Sequence, residues 1–149
     1  MKRVTITLKN HELGATLKFI ETMELKAAAA SRHRSKFKGE LMKAIKGLQE
    51  AELAIYDQYG EKDGEGKLII NKARTNYEIK DEYKAQFYKE MNSLLDEEVM
   101  IEGGLYARNF AKFGQVLAEY NGVISGNDAD IYDRLMDEFE KEENQHVKD

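Results

Sequence analysis

The stretch from Ser31 to Tyr59, SRHRSKFKGELMKAIKGLQEAELAIYDQY, decides how the chain is read. Phe37, Leu41, Ala44, Ile45, Leu48, Ala51, Ile55 and Tyr59 recur every three or four residues. That spacing draws one apolar stripe along a helix of about six turns, which must be covered along its length. Ser31 is a suitable N-cap and Gly60 a suitable stop. Gly39 and Gly47 interrupt the pattern, each weakening a helix by about 1 kcal/mol relative to alanine unless close helix contact requires a glycine there.

Working outward toward the N-terminus, Val4, Ile6 and Leu8 alternate with Thr5, Thr7 and Lys9, the period of a half-buried strand. Asn10 is placed to cap a short helix from about His11 to Met23, and a bend is expected between Glu24 and the alanines after it. Beyond Gly60, the run from Glu61 to Gly66 is a turn-rich loop. Lys67 to Ile70 and Asn76 to Lys80 read as two short strands of a loose hairpin. A helix from Asp81 carries Tyr83, Phe87, Met91, Leu94 and Leu95 inward, and Val99 to Ile101 reads as a buried strand ended by Gly103-Gly104. A helix from about Leu105 to Tyr120 comes next, with Tyr106, Phe110, Phe113 and Leu117 assigned to the core. Val123-Ile124 is a further short strand, and Asn127 or Asp128 caps a last helix bearing Ile131, Leu135, Met136 and Phe139. The fold class expected is α+β, predominantly helical: about five helices, one of them long (about 31–59), with a small sheet of short strands. One domain spans residues 1–149, with a polar tail that frays from about Glu142.

Composition bounds the function classes. There is no cysteine, hence no disulfide and no thiolate metal site, and no proline. No apolar run reaches signal-peptide or membrane-span length, so a cytoplasmic protein without membrane contact is expected. The net charge of −5 hides a polarity. Residues 1–49 hold eleven Lys/Arg against four Asp/Glu, whereas residues 119–149 hold three against ten. Such asymmetry serves either a polyanion partner or the packing of one end of the chain beside the other.

The residues that carry chemistry are few. Arg32, Arg34, Lys36, Lys43 and Lys46 form the candidate contact for a polyanion or an acidic partner, with Arg32, Lys36, Lys43 and Lys46 roughly along one side of the long helix. Phe37, the only aromatic among them, belongs to the apolar stripe, so a solvated face or docking onto the acidic C-terminal helix is the favoured reading. The stretch from Glu61 to Lys72 resembles an EF-hand calcium loop at Glu61, Asp63, Glu65 and Gly66, but Lys72 stands where the bidentate glutamate belongs. A phosphate loop is rejected there, because Leu68 replaces the magnesium-binding Ser/Thr and acids would face the phosphates. His11, His33 and His146 share no ligand spacing, and no serine has a nucleophile elbow. No catalytic residue, metal ligand or cofactor is assigned, and the chain is expected not to be an enzyme.

Several phrases recur in the manner of a family. They are Leu17 to Lys26 leading into Ser31-Arg32, Tyr59-Gly60-Glu61-Lys62-Asp63, and Tyr77-Glu78-Ile79-Lys80 running to Phe87-Tyr88-Lys89-Glu90. Leu94 to Val99 leading to Ile101, and Asp130-Ile131-Tyr132-Asp133, complete the set. On these the chain resembles a family of small proteins of unknown function encoded by phages and prophages of Gram-positive bacteria. The resemblance implies a phage origin and no particular chemistry. The resulting expectation is a non-enzymatic phage accessory protein acting through protein contacts, as a virion or assembly component or a modulator of a host protein. It would sit in the host cytoplasm or the virion, with a homo-oligomer as one way to cover the long stripe. Two alternatives come from other classes: a nucleic-acid binder, or an acidic mimic of nucleic acid using Asp130, Asp133, Asp137, Glu138 and Glu140 against a host nuclease; and, third, a calcium-binding module.

Overall fold

The computed structural model describes residues 4–148, with side chains up to residue 143. Met1-Lys2-Arg3, Asp149 and the side chains from residue 144 on, His146 among them, therefore lie outside the described residues, whereas the main chain of the tail expected to fray from Glu142 is helical as far as Lys148. The chain is 67% helical. Its elements are β1 (Thr5–Lys9), α1 (Leu13–Thr22), α2 (Ala28–Tyr59), α3 (Lys84–Asp96), β2 (Glu98–Glu102), α4 (Ala107–Glu119) and α5 (Asn127–Lys148), with single 3-10 turns leading into α1, α3 and α4. Five α-helices and one two-stranded antiparallel sheet are thus present among the described residues, as the periodicities predicted. None of these helices is long and apolar enough to cross a membrane.

Within the span read as one domain, two compact units form: the chain up to Ile45 together with Glu98 onward, and Lys46–Glu97. In the first unit β1 and β2 pair with Thr5 opposite Glu102, Thr7 opposite Met100 and Lys9 opposite Glu98. Alternation sends Ile6, Leu8 and Ile101 to one face, where they are buried with Leu13, Phe19 and Ile20 of α1. Phe37 of α2 is fully buried among Phe110 and Phe113 of α4, ring centroids 5.2 Å away in both cases, and Phe139 of α5 at 5.9 Å. Burying a phenylalanine stabilises by about 1.5–3 kcal/mol, and each well-set ring pair adds about 0.5–1.5 kcal/mol. This aromatic cluster therefore anchors α2, α4 and α5. Helix ends are closed by side chains from neighbouring helices: the Tyr132 hydroxyl donates to the Leu117 carbonyl near the end of α4, at 2.8 Å.

In the second unit Tyr59 of α2 is buried with Phe87 and Met91 of α3, and Ile55, Tyr56, Ile79, Leu94 and Leu95 pack around them. The Tyr59 hydroxyl donates to the Glu90 carboxylate at 2.8 Å. That bond first, then burial, raises the phenol above its ordinary value. Between Gly60 and Lys80 the chain folds back twice. Glu61 N–H donates to the Glu78 carbonyl, Ile69 N–H to Glu61, and Glu78 N–H to Ile69.

Several local expectations are corrected. Asn10 does not cap α1; it is the buried first residue of the preceding 3-10 turn, and the Glu12 carboxylate instead accepts the N–H of Lys9 at 2.7 Å. Ser31 is not the start of the long helix, because Ala28 to Ala30 are strong helix formers and supply its first turn. The expected strands over 67–70 and 76–80 are single bridged pairs, Lys62 with Leu68, Ile70 with Tyr77 and Gly60 with Ile79. Three short segments share the pairing, so no two run side by side for consecutive rungs. Val99 to Ile101 is a strand, but only Ile101 is buried and Met100 is 65% exposed. Val123-Ile124 forms no strand, and Val123 is 96% exposed. Tyr106, expected in the core, is 37% exposed.

Candidate interaction surfaces

The densest polar cluster was not read from the sequence. Arg134 of α5 donates through Nε to Glu12 Oε2 at 3.1 Å, through Nη1 to Glu138 Oε2 at 2.7 Å, and through Nη2 to the Thr7 carbonyl at 3.0 Å. Glu138 Oε1 accepts the Thr7 N–H at 3.2 Å, and Lys141 Nζ reaches Glu138 Oε2 at 2.8 Å. Glu138 is buried. Burial alone would raise its carboxyl, but the hydrogen bonds from Lys141 and Arg134, the charge of Arg134 and the Thr7 amide together hold it below the ordinary glutamate value. The same partners raise the Arg134 guanidinium against the opposing effect of its own desolvation, which is the largest single influence on it. Carboxylate and guanidinium thus stand where a third strand would pair with Thr7. The outer edge of β1 is closed by side chains.

Among the described residues the outer edge of β2 has no such cover. Glu98, Met100 and Glu102 are exposed, and no hydrogen bond joins their outward main-chain groups to another described residue. Immediately beyond, Leu105 is 93% exposed and lies at one side of a groove of about 930 Å³ between α4 and α5, floored by Ala111, Gly114 and Ala118 of α4 and Met136 of α5.

The basic half of α2 is divided by its surroundings. Arg34 turns inward, donating through Nη1 to the carbonyls of Ile20 and Met23, and so closes the C-terminal end of α1. Lys43 pairs with Glu40 at 3.0 Å and Lys38 with Glu21 at 2.8 Å. Lys36 Nζ lies 4.5 Å from the centroid of the Tyr106 ring, a cation–π contact. Arg32 and Lys46 are exposed, with no ion pair among the described residues. The ion pairs seen for α5 among the described residues join Arg134 to Glu12 and Glu138, and Lys141 to Glu138, and none of these reaches the basic half of α2. Asp130, Asp133, Asp137 and Glu140 do form an exposed acidic stripe on α5, whereas Glu138 leaves it for the interior.

At the loop that resembles an EF-hand, Asp63 Oδ1 accepts the N–H groups of Glu65 and Lys67 at 2.8 and 3.0 Å. The carboxylate that would hold calcium organises its own turn, and no group of three metal-binding side chains gathers among the described residues. His33 Nδ1 lies 3.1 Å from Asn109 Nδ2, linking α2 to α4. Sequence reading missed the Arg134 cluster, although two signals were present. Glu12 stands three residues after Lys9, the spacing of a reciprocal cap, and Arg134 and Glu138 stand four apart on one helix face.

The fold and its surfaces define a small helix-dominated α+β protein whose conspicuous features are surface edges and stripes. The chain matches the model of the family described as protein of unknown function (DUF1617) over residues 4–146, and it belongs to that family. No curated protein and no solved structure matches it.

Proposed function

We propose that the protein is a non-enzymatic accessory protein of a phage or prophage of Gram-positive bacteria, acting by contact with another protein. It serves as a virion or assembly component or as a modulator of a host protein, in the host cytoplasm or the virion. The observation that carries the reading is the edge of β2, uncovered among the described residues and followed three residues later in the chain by exposed Leu105, set against the β1 edge closed by Arg134 and Glu138. Exposed strand edges are a liability that folds normally blunt, and one left open, with a 93% exposed leucine soon after it in the chain, supports a contact with another protein. The phage assignment rests on the family phrases between Leu17 and Asp133 and is tested by genomic neighbourhood. A photo-crosslinking residue at Leu105, in cells carrying the phage, should yield one protein adduct that the same residue at Asp133 does not. Equal background at both positions would overturn the reading.

A second reading, a nucleic-acid contact, is favoured by one observation. Lys36 and Tyr106 supply a cation and an aromatic ring side by side, with exposed Arg32 one turn away on α2. Two such cations would give the contact a distinct signature, a shallow dependence of affinity on salt.

A further inference from the structure

The open edge carries more than a general contact. Resting on the protein-contact reading, we infer that β2 accepts an added strand from a partner segment in which two basic side chains flank a central apolar one, at every second position.

The ladder fixes which groups are available. Gly103 N–H donates to the Val4 carbonyl at 2.9 Å, so Val99, Ile101 and Gly103 turn their main-chain groups toward β1. Alternation in an antiparallel pair then turns those of Glu98, Met100 and Glu102 outward. The same logic places the groups of Thr7 on the outer side of β1, where Glu138 and Arg134 indeed meet them. Among the described residues, one edge of this sheet has therefore been given a side-chain substitute for a strand and the other has not. Strand addition at a free edge draws its affinity from main-chain bonds and its specificity from alternate side chains.

Those alternate side chains state the occupant. Met100, 65% exposed, is flanked on its own face by Glu98 and Glu102, both exposed. Residues directly opposite across a pair lie about 4.5–5.5 Å apart, close enough for opposite charges to stabilise and like charges to repel. A basic residue opposite each glutamate and an apolar one opposite Met100 complement the edge; on the β1 side Glu98 has Lys9 across the ladder, whereas Glu102 has Thr5. A second copy does not. Two β2 strands paired antiparallel about Met100 set Glu98 against Glu102 at both ends, placing four carboxylates on one face. The edge thus selects a basic strand and rejects itself, attraction and repulsion both contributing to specificity.

The test uses the full chain and two capped heptapeptides, threonine-lysine-threonine-valine-threonine-lysine-threonine and its counterpart with both lysines replaced by glutamate. The lysine peptide should bind at least tenfold more tightly, and amide exchange should slow at Glu98, Met100 and Glu102 while Val99 and Ile101, already in the ladder, stay unchanged. Met100→Pro removes an outward N–H without touching a ladder bond, a position where an edge strand tolerates proline, and should abolish binding. The pair Glu98→Lys with Glu102→Lys, which leaves the main chain alone, should reverse the peptide preference, so the proposal stays testable if the proline variant fails to fold. Equal binding of both peptides, no binding of the lysine peptide in the millimolar range, or an unreversed preference overturns it. So does a dimer in light scattering that Met100→Pro converts to monomer. An adduct at Leu105 without peptide binding would leave the protein-contact reading standing and remove this one.

Discussion

At the scale of single residues, the least legible feature is the one with the largest predicted energetic consequence. Arg134→Met leaves Glu138 buried beside the Thr7 amide with only Lys141 to balance it. Breaking one partner of a buried pair costs about 3–5 kcal/mol, and the partial exposure of Arg134 places the expected loss at the lower end, about 3 kcal/mol by urea denaturation. Glu138→Gln should show its effect through pH. The folded carboxyl lies below its ordinary value, so its contribution is fully present above the unfolded glutamate value of about 4.3 and disappears as pH falls through the folded value. The stability gap between wild type and Glu138→Gln should therefore be constant near neutrality and narrow in acid. Tyr59 runs the opposite way: its phenol is raised, so the stability it confers holds below about pH 10 and is lost as pH climbs through the folded value, a gap against Tyr59→Phe that closes only in strong alkali. None of this is readable in one dimension, because Thr7 and Arg134 are 127 residues apart in the chain and an Arg-Glu pair four apart on a helix reads as surface decoration.

At the scale of elements the sequence was more informative, since periodicity reports directly on which face of a helix is buried. The α2 stripe was legible down to Phe37, Leu41 and Tyr59, all buried as expected. What escaped was the pairing within residues 60–80, where bridges depend on Asp63 and Asn71 side chains folding the main chain rather than on strand propensity. The glycines give the sharpest element-level test. A Cβ built at Gly39 or Gly47 meets nothing within 4 Å, so the close helix contact that would justify them is absent. Gly39→Ala and Gly47→Ala should each stabilise the protein, by up to about 1 kcal/mol, as a rise in thermal midpoint. Gly60 is the counterexample, because its Cβ would stand 2.6 Å from the Tyr56 carbonyl oxygen and 2.5 Å from Leu68 Cδ2. Gly114 is similar, its Cβ falling 2.8 Å from the Phe139 ring, so Gly114→Ala should destabilise by about 1–3 kcal/mol through overpacking.

At the scale of the whole molecule, the basic N-terminal third and acidic C-terminal end suggest a polyanion site more strongly than the individual side chains support. Of the bases in the first half of α2, Arg34 is turned onto carbonyls, and Lys38 and Lys43 are paired with Glu21 and Glu40. Arg32 and Lys36 remain side by side to meet a phosphate, with Tyr106 beside Lys36, while Lys46, also exposed and without an ion pair among the described residues, stands ten residues further along α2. Neutralising two phosphates of duplex DNA gives a slope of about −1.8 in log affinity against log salt, hence only about a twelvefold loss between 50 and 200 mM salt. A dedicated binder with six to ten phosphate contacts would lose about 10³–10⁵ over the same range. Fluorescence anisotropy with a short duplex should accordingly find weak binding at low salt, the shallow slope, and loss of signal on combining Arg32→Glu with Lys36→Glu. A slope steeper than about −5 would require about six or more phosphate contacts and would move the functional reading from the β2 edge to the charged helix. Binding indifferent to the two substitutions would instead detach the polyanion reading from α2, leaving the strand edge as the surface through which the protein acts.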